Sequence, residues 1–179
     1  MKLQALALIV LHAAALAAPV AKLTDFELTD QEAKPRSYRF PKAKITVMTV
    51  ADHKGSEQLA PWIQRVRERY ETRIDIDGIA DVSIIRKAFH GMFRDAFRKK
   101  LTYSVMLDWD GSVVRQFGYK KGIANIDLIG HAGRIVKQMT GPVSEASAQD
   151  LFREIDRVIS EPFRGPVRPV AGSLPSAPR

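Results

Sequence analysis

The sequence predicts an α/β domain in which a mixed β-sheet, flanked by helices, ends in a β-hairpin and a C-terminal helix. Three observations carry this. The β-branched run "KITVMTV" leads into a segment of helical period and then into a second apolar run, the order of a βαβ unit. Two later apolar runs, "ANIDLI" and "RIVKQM", are separated only by Gly130-His131-Ala132-Gly133, the spacing of an antiparallel hairpin. Helical period then returns for the last time beyond Ser147. The 179 residues, 45% of them hydrophobic, suit one core.

The elements follow in order. "MKLQALALIVLHAAALAAPVAKL" opens with Lys2, an apolar stretch and an A-x-A pattern at Ala15–Ala17, so residues 1–18 read as a secretory signal peptide. The expected address is therefore periplasmic, and with no Cys after the apolar run a lipoprotein anchor is excluded. Residues 19–43 are polar and broken by Pro35 and Pro41, a lead-in segment with one short strand at Phe26–Leu28. The domain proper is expected over 44–161. Ile45–Val50 has the continuous apolarity of a strand covered on both faces. Glu57–Glu71 places Leu59, Ile63, Val66 and Tyr70 at helical spacing, with Pro61 near its start. "RIDIDGIA" alternates like a half-exposed strand, ended by Gly78.

Residues 82–100 predict a basic amphipathic helix capped by Asp81 or Ser83. Ile85, Phe89, Met92 and Ala96 face the sheet, and most of the cations face away. "YSVMLDWDGS" reads as a short strand entering an Asp-Gly turn, and "SVVRQFGY" as a helical turn or two. After the hairpin, Ser147–Asp150 form a capping box, and Leu151, Ile155, Val158 and Ile159 form the buried stripe. Residues 162–179, with half of the ten prolines, read as a disordered tail.

Composition limits the chemistry. With no cysteine, thiol-disulfide exchange, peroxidatic thiols, thiolate metal sites and haem attachment through Cys are excluded. The net charge of +8 favours anionic surfaces.

"LDWDGSVVRQFGYKKGIANIDLIGHAGRIV", Leu107–Val136, resembles the thioredoxin-like superfamily in its redoxin, AhpC/TSA and TlpA-like members. It keeps both turns and the final Gly-Arg-Ile-Val, and it lacks the family's Pro and following Thr. "SEQLAP", Ser56–Pro61, is similar to the helix start after the family's C-x-x-C. Anchored on Pro61, the two cysteine positions fall on His53 and Ser56, or, one residue along, on Lys54 and Glu57. The resemblance spans roughly Thr24–Ile159, and "GMF-x-x-x-F-x-x-K-K" also resembles the small periplasmic YtfJ-like branch. It implies a thioredoxin-like fold with a degenerate site. At the family's cis-proline position stands Ala124. A cis peptide there would cost about 3 kcal/mol, so a trans bond and a reshaped groove are expected.

The resemblance thus implies a redox-inactive module that holds a protein or extended peptide in the former active-site groove, built from His53, Lys54, Gly55, Ser56, Glu57, Ile123, Ala124 and Asn125. The plainer reading makes Ser56 a helix N-cap and His53 a solvated loop residue. Asp127, mid-strand and on one face with Asn125, suggests either a polar pocket or a carboxylate paired with solvent or a basic side chain. A non-thiol enzyme using Ser56 or Asp127 with His53 is the catalytic alternative. The basic residues Arg86, Lys87, Arg94, Arg98, Lys99 and Lys100 form a solvated face, or else a surface for an anionic envelope. His53, His90 and His131 have no metal-ligand spacing, and neither a metal nor another cofactor is expected. Nucleic acid is not expected either, because the chain carries no aromatic-basic RNA motif.

Overall fold

The computed structural model describes residues 21–161 and 163. The expected signal segment 1–18 lies outside the described residues, as does the expected tail apart from residue 163. The strands are β1 Phe26–Asp30, β2 Pro35–Tyr38, β3 Thr46–Ala51, β4 Asp75–Asp81, β5 Met106–Asp108, β6 Asn125–Ile129 and β7 Ile135–Thr140. The helices are α1 His53–Ser56, α2 Leu59–Tyr70, α3 His90–Lys100 and α4 Glu145–Ser160, with 3₁₀ turns at Lys87–Phe89 and Val114–Phe117. One mixed sheet runs β2-β1-β5-β4-β3-β6-β7. Strands β3, β4 and β5 are parallel, and β6, β7, β1 and β2 run antiparallel to their neighbours. The expected α/β architecture is present. Among the described residues no helix is long and apolar enough to cross a membrane.

β3 is buried along its whole length, and its alternation divides the core. Val47, with Ile126 and Leu128, packs under Trp62, Val66 and Tyr70 of α2 and Leu151, Phe152 and Ile155 of α4. Polar tips in this layer find partners: Trp62 Nε1 donates to the Gly141 carbonyl at 2.9 Å and Tyr70 Oη to that of Phe152 at 3.0 Å. Met48 and Val50 point to the opposite face, where Ile79, Met106, Val114 and Phe117 meet Leu23, Phe26 and Tyr38.

That second cluster corrects the reading of residues 19–43. The lead-in is a β-hairpin on the sheet edge, in register from Phe26 with Tyr38 to Thr29 with Pro35, and β1 also pairs with β5. Phe26 stacks on Tyr38 at 4.9 Å and meets Phe117 edge-on at 6.4 Å. Pro35 fits because it opens an edge strand, where its missing N–H costs no ladder bond.

Smaller differences have local causes. Gly78 lies inside β4 rather than ending it, and a Cβ there would stand 3.0 Å from Thr49 Oγ1. The expected helix 57–71 begins at Leu59 as α2, and a separate short helix, α1, precedes it at His53–Ser56. In α2, Leu59 and Ile63 are only half-buried, while Trp62 fills the core. The α4 capping box is Ser144 with Ser147, one turn earlier than expected, and Ile159 is exposed.

The largest difference is α3. It starts at His90, its preceding residue Phe89 makes no side-chain cap, and none of its residues is buried. It is also turned the other way. His90 stacks on Trp109 at 3.7 Å, the Arg94 guanidinium sits 5.6 Å from the same ring and reaches Thr29 Oγ1, and Arg98 Nε donates to the Gln31 carbonyl. Cations and half-buried Phe93 and Phe97 therefore face the domain. Phe89 is 48% exposed and Met92 61% exposed, and Ile84 in the preceding turn reaches 80%.

Two substitutions separate these roles. In urea unfolding, Phe26→Ala is expected to cost about 3–5 kcal/mol, as for a buried aromatic, while Met92→Ala changes stability by less than about 0.5 kcal/mol.

Candidate functional site

The site lies where β3, β4 and β5 end, beside α1 and the loop that enters β6. β3 runs out at Ala51, and Asp52 follows with an extended backbone (φ −84°, ψ −175°) as the N-cap of α1. Its carboxylate joins two segments: Oδ1 accepts the Gly55 N–H and Oδ2 the Gly122 N–H, both at 2.8 Å. Ser56 caps neither helix: Asp52 caps α1, and α2 starts after Gln58 with no side-chain cap. Ser56 Oγ donates instead to the His53 carbonyl at 2.7 Å.

The expected groove segments are in fact adjacent, and they close on each other. At Gly55, a Cβ would stand 2.3 Å from the Ile123 carbonyl oxygen, so only glycine lets α1 approach this closely. Gln58 Oε1 accepts the Ala124 N–H at 3.2 Å. Asn125 turns inward, its Nδ2 donating to the carbonyls of Lys120 (2.8 Å), Ile123 (3.0 Å) and Val50 (3.2 Å), while its Oδ1 accepts the Lys120 N–H. The Ile123–Ala124 peptide is trans, as expected; the cis bond of the described residues is Phe40–Pro41. An extended peptide would draw on the backbone groups of this loop, and the Gly122 and Ala124 N–H groups and the Ile123 carbonyl are already paired. His53, Lys54, Ser56 and Glu57 remain as an exposed rim.

The neighbouring strand ends carry two more aspartates, Asp81, expected as a helix cap, and Asp108, to which the sequence reading gave no role. Asp108 Oδ1 accepts the Gly111 N–H at 3.0 Å, and Oδ2 accepts those of Val113 and Val114 at 2.9 and 2.8 Å. Burial nevertheless raises its pKa, the Val113 and Val114 amides opposing and nearby Asp110 assisting. Asp81 accepts from the Ser83 amide and hydroxyl and from the Tyr119 hydroxyl, with Lys121 Nζ at 3.6 Å. Burial opposes its charge, but these donors outweigh burial and hold the carboxyl below its usual range. The Tyr119 phenol is raised by burial and by Asp81. Each acid is committed to fixing a loop. An Asp just after an apolar strand and before a helix is an N-cap signal that the sequence offered at position 52.

Asp127 stands apart. It is 1% exposed beneath the sheet, paired across the ladder with Met48 and Gln138, and Oδ1 accepts from Gln138 Nε2 at 2.8 Å. Oδ2 has no partner among the described residues. Neither solvent nor a basic side chain meets it, contrary to the plainer expectation. Burial pushes its pKa up to about 7, the Gln138 amide pulling the other way. No hydrogen bond among the described residues joins the His53 ring to Ser56 Oγ or to Asp127, so the catalytic alternative lacks an assembled base and nucleophile.

The predicted basic face divides. Arg94 and Arg98 turn onto the domain, Arg98 pairing with Asp95 at 2.9 Å and Glu32 at 3.5 Å. Arg86, Lys87, Lys99 and Lys100 are exposed and form no ion pair among the described residues. Among these residues no group of three or more His, Cys, Asp or Glu side chains is arranged to hold a metal ion.

Comparison with solved structures identifies the architecture. The exposed lipoprotein thioredoxin of Streptococcus pneumoniae superposes with a TM-score of 0.58 at 18% identity, covering 75% of this chain and 99% of its own. A thioredoxin-family thiol:disulfide interchange protein of Chlorobium tepidum gives 0.56 at 17%, covering 80% and 99%. StoA of Bacillus subtilis gives 0.55 at 16%, covering 75% and 98%. The chain thus has the thioredoxin fold without its cysteines. No family model and no curated protein sequence matches it.

Asp127 generates a pH prediction. The folded state holds a proton that the unfolded Asp, with a pKa near 3.9, releases. Its contribution is therefore complete below about pH 4 and is lost as pH rises through 7, at up to about 1.4 kcal/mol per pH unit. Urea melts between pH 4.5 and 8 are expected to show this decline in the wild type and a flatter profile in Asp127→Asn. Equal slopes would contradict the assignment.

Proposed function

We propose that this protein is a redox-inactive thioredoxin-fold module that works by contact, through the surface of residues 84–100 rather than through the former active-site groove. One observation carries the reading: α3 is seated by its cationic side, which leaves Ile84, Phe89 and Met92 exposed beside the unpaired Arg86, Lys87, Lys99 and Lys100. Contiguous exposed apolar side chains rimmed by polar groups are a hallmark of interaction surfaces.

Two features support this against the rivals weighed from sequence. The absence of cysteine removes the chemistry of the fold's thiol-dependent members. The contacts of Gly55 with Ile123, Asp52 with Gly122 and Gln58 with Ala124 use backbone groups on which an extended peptide would draw, which supports a surface elsewhere. Export is the reading the apolar start of the sequence supports, and it would place this surface in the cell envelope.

Photo-crosslinking in the native cells tests the choice of surface. A benzoylphenylalanine at Met92 is expected to capture a recurrent adduct, protein or lipid, and one at Glu57 is expected to capture none. Capture from Glu57 alone would return the function to the groove.

A further inference from the structure

We infer that the face formed by residues 84–100 binds the surface of an anionic phospholipid bilayer. This rests on the contact reading above and names its partner.

The argument begins with placement. At about 100° per residue, Lys99, Met92, Ala96 and Lys100 fall within one sector of about 100° on α3. That sector is the exposed one. Phe89 and Ile84 continue the apolar side chains before the helix, with Arg86 and Lys87 between them, and Lys99 with Lys100 close the other end. Apolar side chains interspersed with exposed cations are the distribution of an interfacial segment, whose apolar side chains enter the headgroup boundary while long basic stems reach the phosphates.

Charge complementarity narrows the partner. Asp95 is the one acid between residues 84 and 100, and Arg98 neutralises it at 2.9 Å. The four exposed cations are therefore uncompensated locally, in a chain of net charge +8.

Shape separates a bilayer from a protein. Protein interfaces anchor on aromatic or Arg side chains that meet pockets. Residues 84–100 line none of the cavities formed by the groups of residues that include Lys22 and Phe163, Arg36 and Asp77, and Thr49 and Ser104. An exposed strip outside these cavities suits a deformable surface. The helix need not unfold to present it, since the His90–Trp109 stack and the Arg94 and Arg98 contacts lie on its other side.

The cysteine-free chain makes the test direct. Met92→Cys, and separately Glu57→Cys, gives the full chain a single thiol for an environment-sensitive fluorophore. Vesicles of phosphatidylglycerol in phosphatidylcholine are compared with pure phosphatidylcholine. A blue shift at position 92 and none at position 57 is expected on the anionic vesicles only. Apparent affinity should fall at least tenfold between about 50 and 500 mM salt. It should fall as far when Arg86, Lys87, Lys99 and Lys100 are all changed to Gln. These are exposed positions, so the variant is expected to keep the wild-type thermal melt. Residues 1–18 are common to all variants, so the difference between labels is the readout. No shift at position 92, or the same shift on neutral vesicles, overturns the lipid inference. A protein adduct from Met92 without a vesicle response overturns it while leaving the contact reading in place. Absence of both overturns both.

Discussion

A single carboxylate organises the end of the sheet beside α1. Asp52 accepts one N–H from the first turn after β3 and another from Gly122, 70 residues further on. Charge-assisted bonds of this kind are stronger than neutral ones, and two amides would be left unpaired without them. Once Asp52 has drawn the two segments together, Gly55 lies against the Ile123 carbonyl, Gln58 reaches Ala124, and Asn125 ties down Lys120 and Val50. The two segments thus form a packed structure with its own hydrogen bonds.

The same solution recurs across the sheet. Open α/β sheets place ligands at the carboxyl ends of their parallel strands, where backbone amides and charged side chains converge. Here Asp52, Asp81 and Asp108 occupy those ends, and each spends its charge on a loop of its own chain. Asp127 shows what an uncommitted acid looks like in this fold: one oxygen bonded to Gln138, the other orphaned, and a proton retained near neutral pH. It lies beneath the sheet, away from the exposed rim.

Much of this was legible in the sequence, and the failures have physical reasons. The run of apolar residues in β3, the Gly130–Gly133 turn and the Asp108-Trp-Asp-Gly turn announce themselves by local chemistry. That His53–Glu57 should meet Ile123–Asn125 followed from the resemblance, but whether they meet across a gap or in contact depends on Gly55 and two long polar side chains. The hairpin of residues 26–38 was hidden because Pro35 reads as a breaker, although it suits an edge strand. Helical period correctly grouped Phe89, Met92 and Ala96. It could not say which side of α3 would face inward, because the seat is made by Trp109, Thr29 and the Gln31 carbonyl, distant in sequence.

Amide hydrogen exchange at Gly55, Gly122 and Ala124, followed by NMR, is the measurement that tests the closed groove most directly. The bonds from Asp52 and Gln58 predict exchange through opening as costly as that of the β3–β6 ladder beside them. Exchange at the rate of an exposed loop, with β3 and β6 still protected, would mean that the groove opens in solution and would contradict the account.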